Sequence, residues 1–134
     1  MTLTLGGFTT LVQVYDMPTS LAFYCDVLGF TVLTRWPERG TPDWVMLRLG
    51  NSALMLNTAY DAGERPPSPD AVRVTSHADV VHYFDCEDVD AAHALLREHG
   101  LAVSAPAVSF YGMKQIFLKD PDGYEICVQQ AVQS

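Results

Sequence analysis

Two stretches of this chain share one plan. Residues 16–29, Asp-Met-Pro-Thr-Ser-Leu-Ala-Phe-Tyr-Cys-Asp-Val-Leu-Gly, and residues 88–100, from Asp88 to Gly100, each run from a capping acid through an apolar-periodic stretch to a glycine stop, 71 to 72 residues apart. A pattern repeated at a fixed interval is the mark of a duplicated supersecondary unit. In the first copy Asp16 caps and Pro18 sits near the first helical position. Leu21, Tyr24, Cys25 and Leu28 then recur at i, i+3, i+4 and i+7, which predicts one apolar stripe. In the second copy Asp88 caps, Ala92, Leu95 and Leu96 supply the stripe, and Gly100 ends the helix.

Strands are expected around both helices. Residues 9–15 alternate ahead of the first helix, with Val12 and Val14 on one face and Thr9, Leu11 and Gln13 on the other. Residues 30–36, 44–49 and 53–57 follow it, and in the last of these Ala53, Met55 and Asn57 share a face. Residues 79–86 precede the second helix and residues 102–107 follow it. A hairpin over 114–129 closes the chain through Asp120-Pro-Asp-Gly123, whose proline sets φ at the second position and whose glycine is free to take a positive φ. Period 2 on its second strand puts Tyr124, Ile126 and Val128 on one face and Glu125, Cys127 and Gln129 on the other. The pattern is therefore βαβββ written twice, over 1–57 and 79–134. Residues 58–78 contain Gly63, Pro66, Pro67 and Pro69, show no period, and read as a linker.

Hydrophobic residues make up 49% of the 134 and charged ones 18%, the balance of a globular chain. The formal net charge of -8 argues against nucleic acid or an anionic membrane as partner and is compatible with a cationic ligand. Cys25, Cys86 and Cys127 are an odd set without CxxC spacing, so neither a disulfide framework nor a zinc knuckle is expected. No leader-like opening and no apolar run of membrane-spanning length is read, which makes a cytoplasmic setting the expectation.

The double βαβββ pattern, the phrase from Asp16 to Phe30 and the closing Asp120-Pro-Asp-Gly-Tyr124 together resemble the vicinal oxygen chelate superfamily, over about residues 6 to 130. That family includes glyoxalase I, extradiol dioxygenases, fosfomycin-modifying enzymes and bleomycin-resistance proteins. The resemblance implies an α+β fold of two βαβββ modules whose curled mixed sheets enclose a cavity, with the helices outside. In the family's metal enzymes a divalent ion is held by side chains from the first and last strand of each module, usually histidine or glutamine and glutamate. Carried over, those positions are Thr9, Met55, Val81 and Cys127. Threonine is a weak ligand, valine is none, and methionine with cysteine is a soft pair, so no metal and no cofactor are expected.

A register slip of one would bring in His82, but it would also turn the neighbouring side chains to the other face. Gln13, Asp85 and Glu125 keep the cavity-side parity and could hold a metal off-centre. His82 is assigned to the helix-facing side, His93 and His99 to a helix surface, and His77 to the linker. Cys127, with no base identifiable beside it, reads as a small apolar wall residue. Asp85 and Glu125 could act as acid and base or attract a cation, and Trp36, Trp44, Phe110 and Tyr111 are expected near the rim.

The function implied is a metal-free binding protein of the bleomycin-resistance kind, sequestering a small organic, and on charge grounds conceivably cationic, ligand. Its walls would be Thr9, Leu11, Gln13, Met55, Val81, Tyr83, Asp85, Phe110, Glu125 and Cys127. The alternative is a lyase, isomerase or dioxygenase of the same superfamily with a displaced divalent metal. By resemblance a homodimer is expected, with the modules paired within a chain or swapped between chains.

Overall fold

The computed structural model describes residues 1–132, so the last two residues of the module expected at 79–134 lie outside the described residues. The chain divides into two compact units, Met1–Arg65 and Pro66–Ser134.

In the first unit, strand β1 (Thr10–Val14) leads into helix α1 (Met17–Leu21), which continues as a π-helical turn over Ala22–Val27. Strands β2 (Thr31–Trp36), β3 (Trp44–Leu49) and β4 (Ser52–Thr58) follow. The sheet order is β1-β4-β3-β2, with β1 parallel to β4 and the other pairs antiparallel. Val12, Val14, Val45, Leu47, Leu54 and Leu56 are buried on one face together with Met17, Phe23 and Tyr24 of the helix. The rings of Phe23, Tyr24 and Phe30 meet edge to face at 5.2 and 5.7 Å, a geometry that satisfies the aromatic quadrupoles.

The buried stripe of this first helix differs from the expected one. Met17, Ser20, Phe23 and Tyr24 are buried, whereas Leu21, Cys25 and Leu28 are only half-buried. Within residues 22–27 the helix widens into a π turn, in which the Leu28 amide donates to the Phe23 carbonyl, five residues back, at 3.0 Å. One wide turn shifts the phase of every later side chain relative to a 3.6-residue repeat.

The second unit begins with helix α2 (Ala71–Ser76) and a 3₁₀ turn at His77–Asp79. Strand β5 (Val81–Asp85), helix α3 (Val89–Glu98) and strands β6 (Ala107–Val108), β7 (Met113–Lys119) and β8 (Glu125–Ala131) complete it. The sheet order is β5-β8-β7-β6, again with one parallel pair, β5 on β8. Ile116, Leu118, Ile126 and Val128 share the buried face with Val89 and Leu96 of α3. Polar ties fix the start of that helix. Asp88 accepts from the Ala91 amide at 3.0 Å, and Gln130 accepts from the Val89 amide at 2.6 Å while donating to the Glu87 carbonyl at 3.1 Å. Two of the helix's terminal amides, and the Glu87 carbonyl just ahead of the cap, are thus held by side chains. Both units repeat one topology, as the duplicated pattern requires, and both sheets are open.

Two expectations are corrected here. Residues 71–78, read as linker, and Asp79, read as the start of a strand, are helical. Asp70 caps α2 by accepting from the amides of Val72 and Arg73 at 2.9 and 3.3 Å, and the Arg73 guanidinium donates to the buried Asp122 carboxylate at 2.9 Å. Val72, Val74 and Thr75 are weak helix formers, so tertiary contacts override local preference in this segment. The strand expected over 102–107 shrinks to Ala107–Val108. Pro106 has no amide to give a ladder, and ahead of it Ser104 bonds Phe117 twice, amide to carbonyl at 2.9 Å and hydroxyl from amide at 2.8 Å.

Candidate functional site

Helices α1 and α3 each cover one face of their sheet and leave the other bare. On the second unit the ladder register sorts that bare face into three rungs across β5, β8 and β7: Asp85, Gln129 and Gln115; Tyr83, Cys127 and Phe117; Val81, Glu125 and Lys119. Directly opposed side chains on one face touch, so each rung acts as a unit.

The first rung is a hydrogen-bond chain. Gln115 Nε2 donates to the Tyr111 hydroxyl oxygen at 2.8 Å and to Gln129 Oε1 at 3.0 Å, and Gln129 Nε2 donates to Asp85 Oδ1 at 3.4 Å. Gln115 is buried, an unusual place for an amide, and this chain satisfies both of its donors. The second rung is apolar. Tyr83 is 56% exposed and Phe117 36%, with the Cys127 thiol buried between them. The third rung pairs Glu125 with Lys119 at 4.0 Å, and a cleft of about 410 Å³ opens there, lined by Leu101, Ala102, Phe117, Leu118, Lys119 and Glu125.

The first unit carries the matching face. Leu11 opposes Met55, which opposes Met46, and Gln13 opposes Asn57, which opposes Trp44 and then Trp36. The Gln13 and Asn57 amides meet at 3.2 Å. The repeat is exact in register: Leu11 and Tyr83, Gln13 and Asp85, Met55 and Cys127, and Asn57 and Gln129 are each 72 residues apart, as are Asp16 and Asp88.

Of the residues expected from the sequence, Leu11, Gln13 and Met55 therefore lie on one bare face and Val81, Tyr83, Asp85, Glu125 and Cys127 on the other. Thr9 is exposed and precedes the first residue of β1. Phe110 is fully exposed in the turn before β7, its ring edge-on to Tyr111 at 5.0 Å. Sequence reasoning did not single out Gln115, Phe117 or Lys119. The signal was present, because the Asp120 to Gly123 turn sets the hairpin register and puts all three opposite Gln129, Cys127 and Glu125.

The donor set does not suit a hard or borderline divalent ion. Val81 has no ligating atom and Thr9 only a hydroxyl. The Cys127 thiol is pushed up to about 11, first by burial and then by the Glu125 charge, so it is protonated and a poor ligand at neutral pH. Of the off-centre candidates, Asp85 and Glu125 lie on rungs either side of Tyr83 and Cys127, and no group of three His, Cys, Asp or Glu side chains that could hold a metal occurs among the described residues. Labelling should show the state of the thiol. In the folded protein at pH 8, Cys127 is expected to resist a disulfide reagent that modifies it at once in denaturant; equal rates in both states would contradict its burial.

The histidines lie behind the site. His82 is on the helix-facing side of β5, opposite Ile126, as its parity predicts. Its Nε2 is buried without a partner among the described residues, and burial lowers its pKa below 6.5. His77, which the sequence left without a role, stacks on Tyr124 at 4.0 Å with its Nδ1 2.7 Å from the Asp122 carbonyl. For His82 the sign is definite. The unfolded chain takes up a proton below 6.5 that the native site resists, so its contribution to stability is full above that pH and is lost as the pH falls toward the depressed native value. Urea midpoints should drop between pH 7.5 and 5.5, and less so in His82→Leu; an identical drop in the variant would assign the effect elsewhere.

Among the described residues no helix is long and apolar enough to cross a membrane. The model of the Glyoxalase/Bleomycin resistance protein/Dioxygenase superfamily matches residues 8–128. The chain is 32% identical over 111 residues to the uncharacterised protein YaeR of Escherichia coli, covering 81% of this chain and 82% of that one. Its fold is similar to that of TnmS3, an antibiotic binding protein from Streptomyces sp. CB03234, with a TM-score of 0.70 at 24% identity over 97% of this chain and 99% of that one. It is also similar to a lactoylglutathione lyase from Agrobacterium tumefaciens, with a TM-score of 0.67 at 19% identity over 95% and 94% of the two chains.

Proposed function

This chain belongs to the Glyoxalase/Bleomycin resistance protein/Dioxygenase superfamily, and from that premise we propose that it binds and sequesters a small organic molecule on its bare sheet faces without metal chemistry. The observation that carries the reading is the donor set. Where the superfamily's metal enzymes place imidazoles and carboxylates, this chain has Thr9, Met55, Val81 and a protonated Cys127 thiol. What occupies the face instead suits an apolar guest: exposed ring surface on Tyr83 and Phe117, a few tied polar groups beside it, and a cleft of about 410 Å³, within the usual volume of small-molecule sites. The likeness to an antibiotic binding protein supports the same reading.

An enzyme using a divalent ion is the competing reading, favoured by the half-buried Glu125 carboxylate beside the cleft. Elemental analysis of the purified protein, with melting curves in Mn, Fe, Ni, Zn and Co, separates the two. A ligand raises stability by mass action, so no stoichiometric metal and no ion-dependent shift are expected. A bound ion whose stabilisation disappears in Glu125→Ala would overturn sequestration in favour of the enzyme.

A further inference from the structure

The hydrogen-bond chain on the second unit has a direction. Both protons of the Gln115 amide are spent, one on Tyr111 and one on Gln129, and one proton of Gln129 goes to Asp85. The unused capacity of the rung is therefore mostly accepting. Gln115 Oε1 and the second Asp85 oxygen have no donor among the described residues, against one spare amide proton on Gln129 and the Tyr111 hydroxyl proton.

Charge is distributed in the same sense. Residues 66–134 contain ten acidic side chains against four basic ones, and residues 1–65 six against four. Of the second unit's four bases, Arg73 is bonded to Asp122, Lys114 to Asp90 and Lys119 to Glu125, while Arg97 is on α3, over the opposite face of the sheet. Asp85 thus ends the rung with its charge opposed by an amide proton at 3.4 Å and by no cation among the described residues. One rung away lie the Tyr83 and Phe117 rings, whose faces attract positive charge as well as apolar surface.

We propose that the guest of this face is a flat organic cation, its ring system lying on the exposed rings of Tyr83 and Phe117 and its protonated nitrogen donating to Asp85 and Gln115 Oε1. This rests on the sequestration reading and adds to it the chemical class and orientation of what is sequestered. A neutral ring of the same size meets the aromatic rung but leaves the Asp85 charge unanswered, and an anion meets like charge, which costs affinity directly.

The test uses the intact chain and three probes of similar shape: aminoacridinium as the cation, acridone as the neutral ring and an acridone carboxylate as the anion, each followed by fluorescence titration. Aminoacridinium is expected to bind about tenfold more tightly than acridone and the carboxylate more weakly still. In Asp85→Asn, which keeps the side-chain shape at an exposed position, the aminoacridinium affinity should fall about tenfold and its salt dependence should flatten, with acridone changed by less than about threefold. Tyr83→Ala should weaken both. Equal affinities for cation and neutral ring, or an Asp85→Asn protein that holds aminoacridinium unchanged, would overturn the cation assignment while leaving sequestration standing. Binding of all three probes untouched by Tyr83→Ala, or no binding of any, would overturn the use of this face altogether.

Discussion

Gly123→Ala is expected to destabilise the protein by on the order of 3 kcal/mol or more, seen as a lower urea midpoint with an unchanged m-value. Two effects act together. Gly123 sits at φ +90, a conformation L side chains rarely adopt and one that strains any residue with a Cβ. A Cβ there would also collide with the Val74 carbonyl oxygen and lie 2.8 Å from Val74 Cγ1. Because the main obstruction is backbone, trimming the Val74 side chain in Val74→Ala should not rescue the variant. A loss below about 1 kcal/mol would show that α2 does not pack against the turn as described.

The second large effect concerns the ion pair in the same place. Asp122 is essentially inaccessible, its side chain 1% exposed against 17% for Arg73. Asp122→Ala removes the buried carboxylate to which the largely desolvated guanidinium donates at 2.9 Å and should cost about 3–5 kcal/mol. Replacing both partners, Arg73→Met with Asp122→Leu, should recover most of that, because neither charge then has to be taken out of water. Denaturant melts of the single and double variants decide the matter. A double variant as unstable as the single one would mean that the contact acts through packing of the turn and not through charge.

Both expectations centre on residues 70–79, the stretch hardest to read beforehand. The two helix caps, the glycine stops and the strands over 44–49 and 114–129 follow local rules that a sequence displays openly: Asp88 is a cap because of what surrounds it, and Asp120 to Gly123 is a turn for the same reason. The α2 segment carries one such signal, the Asp70 cap, but its β-branched interior speaks against a helix. It is also held by Asp122, 49 residues from Arg73 along the chain, and a long-range pair leaves no periodic mark. The π turn was hidden for a different reason, since Leu21, Tyr24, Cys25 and Leu28 make a credible α stripe and nothing local announces that one turn is widened. On the bare faces, alternation identified the β1, β4, β5 and β8 residues correctly by side. The contribution of β7 needed the hairpin register carried across to the neighbouring strand, and the direction of the Gln115 chain needed coordinates.

The widened turn has a use in the evolution of such a repeat. From capping acid to stop glycine the first copy is one residue longer than the second, Asp16 to Gly29 against Asp88 to Gly100. The offset stays at 71 for Trp44 and Gln115 and for Met46 and Phe117, and returns to 72 at β4 and β8 because the β7–β8 connection is one residue longer than the β3–β4 one. The surplus helical residue of the first copy is offset by a longer hairpin turn in the second, so the side chains on the sheets keep equivalent rungs. A duplicated chain built this way tolerates insertions on its exterior without resetting which side chains line the sheets, so the two halves were free to drift in helix length while Gln13 and Asp85, or Met55 and Cys127, stayed in equivalent seats and diverged only in chemistry.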